Sequence, residues 1–249
     1  MRKSLVSCHH LQRSAVPCSE VIHSSPPFSL SVLDASGVMN TIMSDYLLLA
    51  LLWAAYCTVH SVLISIPVTS LLRTVLASRY RFWRLFFNIF SIVTLVPLVM
   101  YSHSARFNSE TLFAWSGYWR ILRYCLVGLG IVLVVAGARH YSMLQFLGIQ
   151  QIRKEPVRSA MTGSGNFDDR GVLGLVRHPW YVAVFIFLWT SDLNVTAITV
   201  NLVLSAYLIV GTLLEERKLV IEFGEEYRRY QDHVSMFIPL KWLTKKRIY

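Results

Sequence analysis

The amino-acid sequence predicts an all-α membrane protein: a polytopic bundle of about five transmembrane helices, with a short helical hairpin and a C-terminal interfacial helix. Of its 249 residues, 54% are hydrophobic and 15% are charged, and the mean hydropathy is +0.47. Soluble domains carry about 25% charged residues, so this chain lacks the polar surface that water requires. Apolar runs long enough for a helix to cross a bilayer recur along the sequence.

The first 42 residues are expected to form a disordered N-terminal tail. They are rich in Ser, Pro and His and lack the apolar periodicity of a helix. Met39 and Met43 both precede the first hydrophobic run, so we expect translation to start later than Met1. The four cysteines of the chain do not have the spacing of a metal site, and we predict none.

The region 43–138 is predicted to hold the N-terminal transmembrane helices. The first hydrophobic run ends before a proline, and aromatic residues flank the second run as interfacial anchors. The third run contains glycines that allow neighbouring helices to approach closely. The runs are Tyr46–Ile66, Trp83–Tyr101 and Ile121–Tyr141, and the glycines are Gly128, Gly130 and Gly137.

The apolar stretch from Pro179 to Leu214 is too long for one transmembrane helix. It is interrupted by Ser191-Asp192-Leu193-Asn194, a polar sequence that is typical of a tight turn. We therefore predict a helical hairpin, with a short helix over about 179–190 and a longer helix over about 195–216.

A surface helix is predicted after this hairpin. From Leu219 onward, aromatic and aliphatic residues recur at helical spacing among charged ones. This pattern is typical of an amphipathic helix that lies in the membrane interface, and we expect it to end at Pro239.

The basic residues predict the orientation of the bundle. The formal net charge is +10, and most Lys and Arg residues lie in 67–84, in 139–178 and in the C-terminal tail. With five transmembrane helices these three segments share one face, which the positive-inside rule places in the cytoplasm. The basic residues alternate with apolar runs and form no nucleic-acid recognition motif, so anionic membrane lipid is the expected partner and nucleic acid is not.

Two polar motifs are candidates for chemistry. The first, Arg177-His178-Pro179-Trp180-Tyr181, opens the predicted short helix, and Pro179 suits a first helical position. Free N–H groups at such a helix start can bind a carboxylate or a phosphate. The alternative interpretation is an interfacial belt of aromatic and basic side chains.

The second motif is the pair Glu215 and Glu216 at the end of the following apolar run. Carboxylates at the edge of the hydrocarbon are costly and are usually paired or functional. Tyr207, Gly211 and Glu215 share one helix face, and Gly211 would leave a gap beside Glu215. The alternative interpretation is a helix end at which both carboxylates pair with basic neighbours such as Arg217 or Lys218.

These two motifs and a third feature follow one another in a specific order. RHPWY (177–181), EERKLVIEFGEEYRRY (215–230) and VSMFIP (234–239) together closely resemble the C-terminal signature of membrane methyltransferases of the isoprenylcysteine carboxyl methyltransferase type. The resemblance covers about 139–240. Leu147-Gly148-Ile149-Gln150-Gln151 looks most like the branch of NnrU-like proteins and methanethiol S-methyltransferases.

The resemblance implies a cofactor, an acceptor and roles for particular residues. S-adenosylmethionine would be the methyl donor, and 139–249 would be the cofactor-binding methyltransferase region. The acceptor would be a small thiol, a prenylcysteine-like group or a lipid. Arg177 and Glu216 would be the catalytic residues, with Arg177 orienting either an acceptor anion or the carboxylate of the cofactor. The cofactor-binding residues would be His178, Pro179, Trp180, Tyr181 and Glu215, covered by a loop containing Gly171, Val172 and Leu173.

One departure from the family pattern bears on the substrate. The isoprenylcysteine enzymes have an arginine for the substrate carboxylate one turn before the glutamate pair, where this chain has Gly211. This difference disfavours a prenylated protein as the acceptor.

Two other functions are kept as alternatives. A membrane reductase of the sterol-reductase type would use NADPH in a similar helical layout. A non-enzymatic transporter or structural subunit would use His60, Asn88 and Asn201 as a polar path through the membrane.

Overall fold

The computed structural model describes residues 28–107, 110–139, 144, 147–153 and 170–244, with the backbone alone for 28–36. Within these ranges the secondary structure is helical apart from two isolated β-bridges, which confirms the predicted all-α fold. The α-helices are α1 (Phe28–Leu63), α2 (Ile66–Leu76), α3 (Trp83–Ser102), α4 (Trp119–Ala138), α5 (Ile149–Ile152), α6 (Pro179–Trp189), α7 (Val195–Phe223), α8 (Glu225–His233) and α9 (Leu240–Thr244). Short 3₁₀ helices lie at Ala77–Phe82, Ala105–Phe107 and Gly171–Gly174.

Four helical segments of the described chain are long and apolar enough to cross a membrane. They are Gly37–Leu63, Ile66–Ser102, Trp119–Ala138 and Val195–Phe223, and α6 is a shorter apolar helix between the last two. The prediction of a multi-pass bundle is therefore confirmed, with four long hydrophobic segments and one short one.

The N-terminal part of the chain differs from the expectation in two places. By its internal contacts the chain divides into the units 1–42 and 43–249, and α1 already begins at Phe28. Residues 28–42 of the expected tail are thus helical, whereas 1–27 lie outside the described residues. The expected loop 67–84 is α2 followed by a 3₁₀ helix, because Pro67 is compatible with the first turn of a helix and starts a new one.

The packing of α4 against α6 depends on two of the predicted interface glycines. A Cβ atom at Gly130 would lie 2.6 Å from the ring of Phe187, and one at Gly137 would lie 2.4 Å from Nε1 of Trp180. Both helices can approach closely only because these positions carry no side chain. Gly128 faces open space within the described structure, so its predicted role at an interface is wrong.

The predicted hairpin is confirmed. The short helix ends at Trp189 and the long one begins at Val195, where the side chain of Asn194 accepts a hydrogen bond of 2.7 Å from the backbone of Ala197. Asn194 is therefore the N-cap of α7 and starts the second helix of the hairpin.

The C-terminal helix packs on the protein through its aromatic side chains. Gly224 has φ +56°, a conformation that favours glycine, and it separates α7 from α8. Tyr227 and Tyr230 of α8 are buried in a cluster with Leu219 and Val234. The expected end at Pro239 is wrong: α8 ends at His233, because the next residues become extended and pair with the chain before α6.

Candidate functional site

The start of α6 is held in place by the segment that follows α8. The backbone N–H of Arg177 donates to the carbonyl of Ser235 at 2.9 Å, and that of His178 donates to the carbonyl of Met236 at 3.3 Å. Pro179 then begins the helix, where its missing N–H leaves no hydrogen bond unmade. The residues before α6 are therefore fixed by pairing with residues 235–236.

Arg177 and Glu216 form a buried ion pair between the start of α6 and the end of α7. Nε and Nη2 of Arg177 lie 2.7 Å and 2.6 Å from Oε1 of Glu216, and each residue is only 6% exposed. Nη1 of Arg177 donates to the carbonyls of Gln231 and Val234 at the end of α8. One guanidinium thus joins three helices, and most of its five N–H donors are used within the protein.

The carboxylate of Glu216 is bonded at both oxygens. Oε1 also lies 3.1 Å from Nε2 of His178, and Oε2 accepts a hydrogen bond of 2.9 Å from the side chain of Gln231. The alternative pairing of Glu216 with basic neighbours on its own helix is therefore wrong. Lys218 instead donates to the carbonyl of Ile64 at the end of α1.

Glu215 differs from its neighbour because one of its oxygens is buried without a hydrogen bond. Oε2 of Glu215 has no hydrogen-bond partner among the described residues and lies 3.7 Å from Nδ1 of His178. His178 is 1% exposed, and its ring packs edge-on against Tyr181. A Cβ atom at Gly211, one turn before Glu215, would meet nothing within 4 Å. A buried carboxylate oxygen without a hydrogen bond is costly, and a cationic ligand can supply the missing donor.

The turn at 171–174 lies next to this site and is fixed by α8. Gly171 has φ +61° and starts the 3₁₀ helix, Val172 is half-buried, and Leu173 is 2% exposed. The hydroxyl of Tyr230 donates to the carbonyl of Leu173 at 2.6 Å. The predicted covering loop is thus attached to the same helix that contacts Arg177.

Trp180 lies apart from the other predicted site residues. Its Nε1 donates to the carbonyl of Val134 on α4 at 3.0 Å, and its indole packs over Gly137. The structure therefore brings together Arg177, His178, Glu215 and Glu216 but directs Trp180 towards α4.

Sequence patterns alone did not identify two members of the site. Gln231 binds Glu216, and Tyr227 is completely buried near the ion pair. Burial raises the pKa of the Tyr227 hydroxyl, and the negative charge of Glu216 raises it further, so this hydroxyl stays neutral. The available signal was helical spacing, since Tyr227, Gln231 and Val234 follow one another at intervals that share a helix face.

The described residues contain no group of three or more His, Cys, Asp or Glu side chains that could hold a metal ion. We call the group Arg177, His178, Glu215, Glu216 and Gln231 the rim cluster. The fold and this cluster define a multi-pass helical membrane protein with a charged site at one end of its hydrophobic segments.

This chain is similar to several proteins that are named methanethiol S-methyltransferase. It is 33% identical to the methanethiol S-methyltransferase of Pseudomonas deceptionensis over 114 residues, which are 45% of this chain and 42% of the relative. It is 32% identical to the methanethiol S-methyltransferase of Pseudomonas sp. strain GM41(2012) over 122 residues, 49% of this chain and 46% of the relative. Methanethiol S-methyltransferase 1 of Bradyrhizobium diazoefficiens is 32% identical over 111 residues, 44% of this chain and 39% of the relative.

These similarities confirm the resemblance to the methanethiol S-methyltransferase branch of the membrane methyltransferases. The chain spans less than half of the length of each of these three relatives. No family model matches the chain. No solved structure matches it either.

Proposed function

We propose that this protein is a membrane methyltransferase that uses S-adenosylmethionine to methylate the sulfur of a small thiol. One observation carries the proposal: the start of α6 and the end of α7 meet, and a buried oxygen of Glu215 has no hydrogen-bond partner among the described residues. The names of the similar proteins support methyl transfer to a thiol.

The chemistry of these residues fits the proposed cofactor. S-adenosylmethionine carries an ammonium that needs a carboxylate, a carboxylate that needs donors, and an adenine that needs an apolar slot. Glu215 offers the free oxygen, and His178, Pro179 and Tyr181 line the same helix start. Gly171, Val172 and Leu173 would cover the site, and Trp180 would act indirectly by holding α6 against α4. When bound, the cofactor supplies an electrophilic methyl group.

The protein would contribute mainly orientation and exclusion of water. Displacement at a sulfonium methyl group needs little acid–base help when the sulfur nucleophile is a thiolate, so alignment of the reacting atoms dominates the rate. Arg177 and Glu216 are already bonded to each other and to α8. We propose that this pair serves catalysis by keeping His178 and Glu215 in position.

The proposed orientation places the rim cluster and the C-terminus in the cytoplasm. The supporting observation is the excess of Lys and Arg in 67–84, 139–178 and the tail. The cofactor would then reach the rim cluster from the aqueous side.

Calorimetry on the purified full chain tests the cofactor site. Replacing Glu215 by Gln removes the charge opposite the ammonium, and we expect binding of S-adenosylmethionine to weaken about tenfold or more. His178→Ala should weaken binding and also reduce turnover. The matched control is Glu222→Gln, an exposed glutamate on the same helix, which should bind like the wild type.

Two results would contradict the proposal. The first is equal affinity for S-adenosylmethionine in the wild type, Glu215→Gln and His178→Ala. The second is saturable binding of NADPH, measured by fluorescence, without binding of S-adenosylmethionine, because this favours the reductase. Incubation with radiolabelled methyl donor and a small thiol should give a labelled volatile thioether.

A further inference from the structure

A second polar cluster lies within the hydrophobic segments, away from the rim cluster. Nδ1 of His60 on α1 lies 3.2 Å from Oγ of Ser91 on α3, and the hydroxyl of Tyr56 donates to the backbone carbonyl of Ser91 at 3.3 Å. Ser61 donates to the hydroxyl of Tyr207 on α7 at 3.2 Å. We call Tyr56, His60, Ser61, Ser91 and Tyr207 the embedded cluster. Polar side chains inside hydrocarbon are costly and are a reason to look for a function.

Three members of the embedded cluster, Tyr56, His60 and Ser91, line a groove between α1 and α3. The groove has a volume of about 320 Å³, and besides Tyr56, His60 and Ser91 it is lined by apolar or internally bonded side chains such as Ala55, Val59 and Thr94. The hydroxyl of Thr94 donates to the carbonyl of Phe90, so it is not offered to the groove. Val59 is 47% exposed on the outside of the bundle, which opens the groove towards lipid.

His60 lines this apolar groove, and only one of its ring nitrogens has a hydrogen-bond partner among the described residues. The contact between Nδ1 and Ser91 is compatible with either tautomer of the imidazole. When the proton is on Nδ1, the imidazole donates to Ser91, and Nε2 is an acceptor without a partner among the described residues. An acyl chain has no hydrogen-bonding group that could use this acceptor. A small apolar molecule with a single donor fits both the walls and the imidazole.

Tyr207 of the embedded cluster lies on α7, the helix that also carries Glu215 of the rim cluster. Tyr207 contacts His60 edge-on at 6.4 Å between ring centroids, and it shares a face of α7 with Gly211 and Glu215. Tyr207 precedes Glu215 by eight positions on the helix, a rise of about 12 Å. The position between them, Gly211, carries no side chain and faces open space.

We infer that the proton of His60 lies on Nδ1 and that the groove between α1 and α3 binds the thiol acceptor in its neutral form. The S–H group is directed at His60, and the alkyl group lies against Ala55 and Thr94. This inference rests on the proposed function for the identity of the acceptor. A neutral small thiol partitions into the bilayer, so it reaches the groove from the lipid side. The path past Ser61, Tyr207 and Gly211 then leads to Glu215.

Binding of 2,2,2-trifluoroethanethiol to the full chain in lipid nanodiscs, followed by fluorine NMR without any methyl donor, tests the inference. We expect saturable binding to the wild type. Ala55→Trp fills the groove and should weaken binding by about tenfold or more, and Thr94→Phe should do the same from the α3 side. Leu51→Trp is the matched control, because Leu51 lies on α1 outside the groove and is 57% exposed.

His60→Phe tests the hydrogen bond separately from the shape. This variant keeps a ring of similar size but removes the acceptor, so the thiol should bind about threefold more weakly. The methyl thioether of the same probe has no S–H group and should bind the wild type and His60→Phe equally.

The outcomes of these binding experiments test the groove independently of the proposed function. Unchanged thiol binding in Ala55→Trp and Thr94→Phe, or equal losses in Leu51→Trp, would overturn the groove even if methyl transfer occurs. Thiol binding that is lost only in the two groove variants would support the groove. If the wild type then methylates no thiol, the methyltransferase proposal fails while the binding site stands.

Discussion

The rim cluster and the embedded cluster both place polar groups in a hydrophobic bundle, but these groups are stabilised in different ways. The rim cluster contains full charges, and its ion pair is surrounded by donors and acceptors from α6, α7 and α8. The embedded cluster contains only hydroxyl groups and one imidazole, joined by hydrogen bonds of 3.2–3.3 Å. In these two clusters the charges therefore lie only at helix ends, where backbone carbonyls and polar side chains are available, because charge within hydrocarbon is costly.

The largest loss of stability is expected when the acidic partner of Arg177 is removed. Glu216→Leu leaves a buried guanidinium without its carboxylate, and we expect the free energy of unfolding to fall by about 3–5 kcal/mol. Unfolding of the purified protein in mixed micelles measures this loss. Glu215→Gln is the matched control, since Oε2 of Glu215 makes no hydrogen bond within the described structure. Equal stability of Glu216→Leu and Glu215→Gln would show that the ion pair does not hold the rim cluster together.

A smaller loss of stability is expected from a substitution at the contact between α4 and the start of α6. Gly137→Ala brings a methyl group into contact with the indole of Trp180, and we expect a loss of about 1–3 kcal/mol in stability. The same unfolding assay compares it with Gly128→Ala, which faces open space and should not lose stability. A neutral Gly137→Ala variant would mean that α6 can shift without disturbing the rim cluster.

The hydrogen bond that attaches the 171–174 turn to α8 should contribute still less to the stability of the protein. Tyr230→Phe removes the donor to the carbonyl of Leu173, and we expect stability to fall by about 1 kcal/mol. Proteolysis near the turn should accelerate in this variant if Tyr230 holds the turn in place. Tyr118→Phe, at a tyrosine that is 92% exposed, serves as the control for the loss of a tyrosine hydroxyl. Faster cleavage in both variants would contradict a specific role for Tyr230.

The smallest loss of stability is expected from a substitution in the embedded cluster. Tyr207→Phe removes one neutral hydrogen bond to Ser61, and such bonds between membrane helices contribute about 0.6 kcal/mol on average. The unfolding assay should therefore detect little change. A loss as large as that of Glu216→Leu would contradict the distinction between a charged cluster that stabilises the fold and a neutral cluster that does not.

Much of this architecture could be predicted from sequence patterns. Hydrophobic length identified the membrane segments, and the polar turn before Val195 identified the hairpin, because both signals are local. The RHPWY motif and the glutamate pair were recognised as candidate residues for the same reason. Gln231 was missed because its contact with Glu216 depends on how α8 folds back after Gly224.

The sequence by itself determined that the chain crosses a membrane several times and that its polar motifs accompany helix ends. Those properties follow from composition and periodicity, which can be recognised within one helix at a time. Only the tertiary structure decided that Glu216 is bonded at both oxygens while Glu215 keeps one free, and that Trp180 packs on α4. Adjacent residues on a helix point in different directions, so the neighbours that each side chain meets depend on the packing of distant segments.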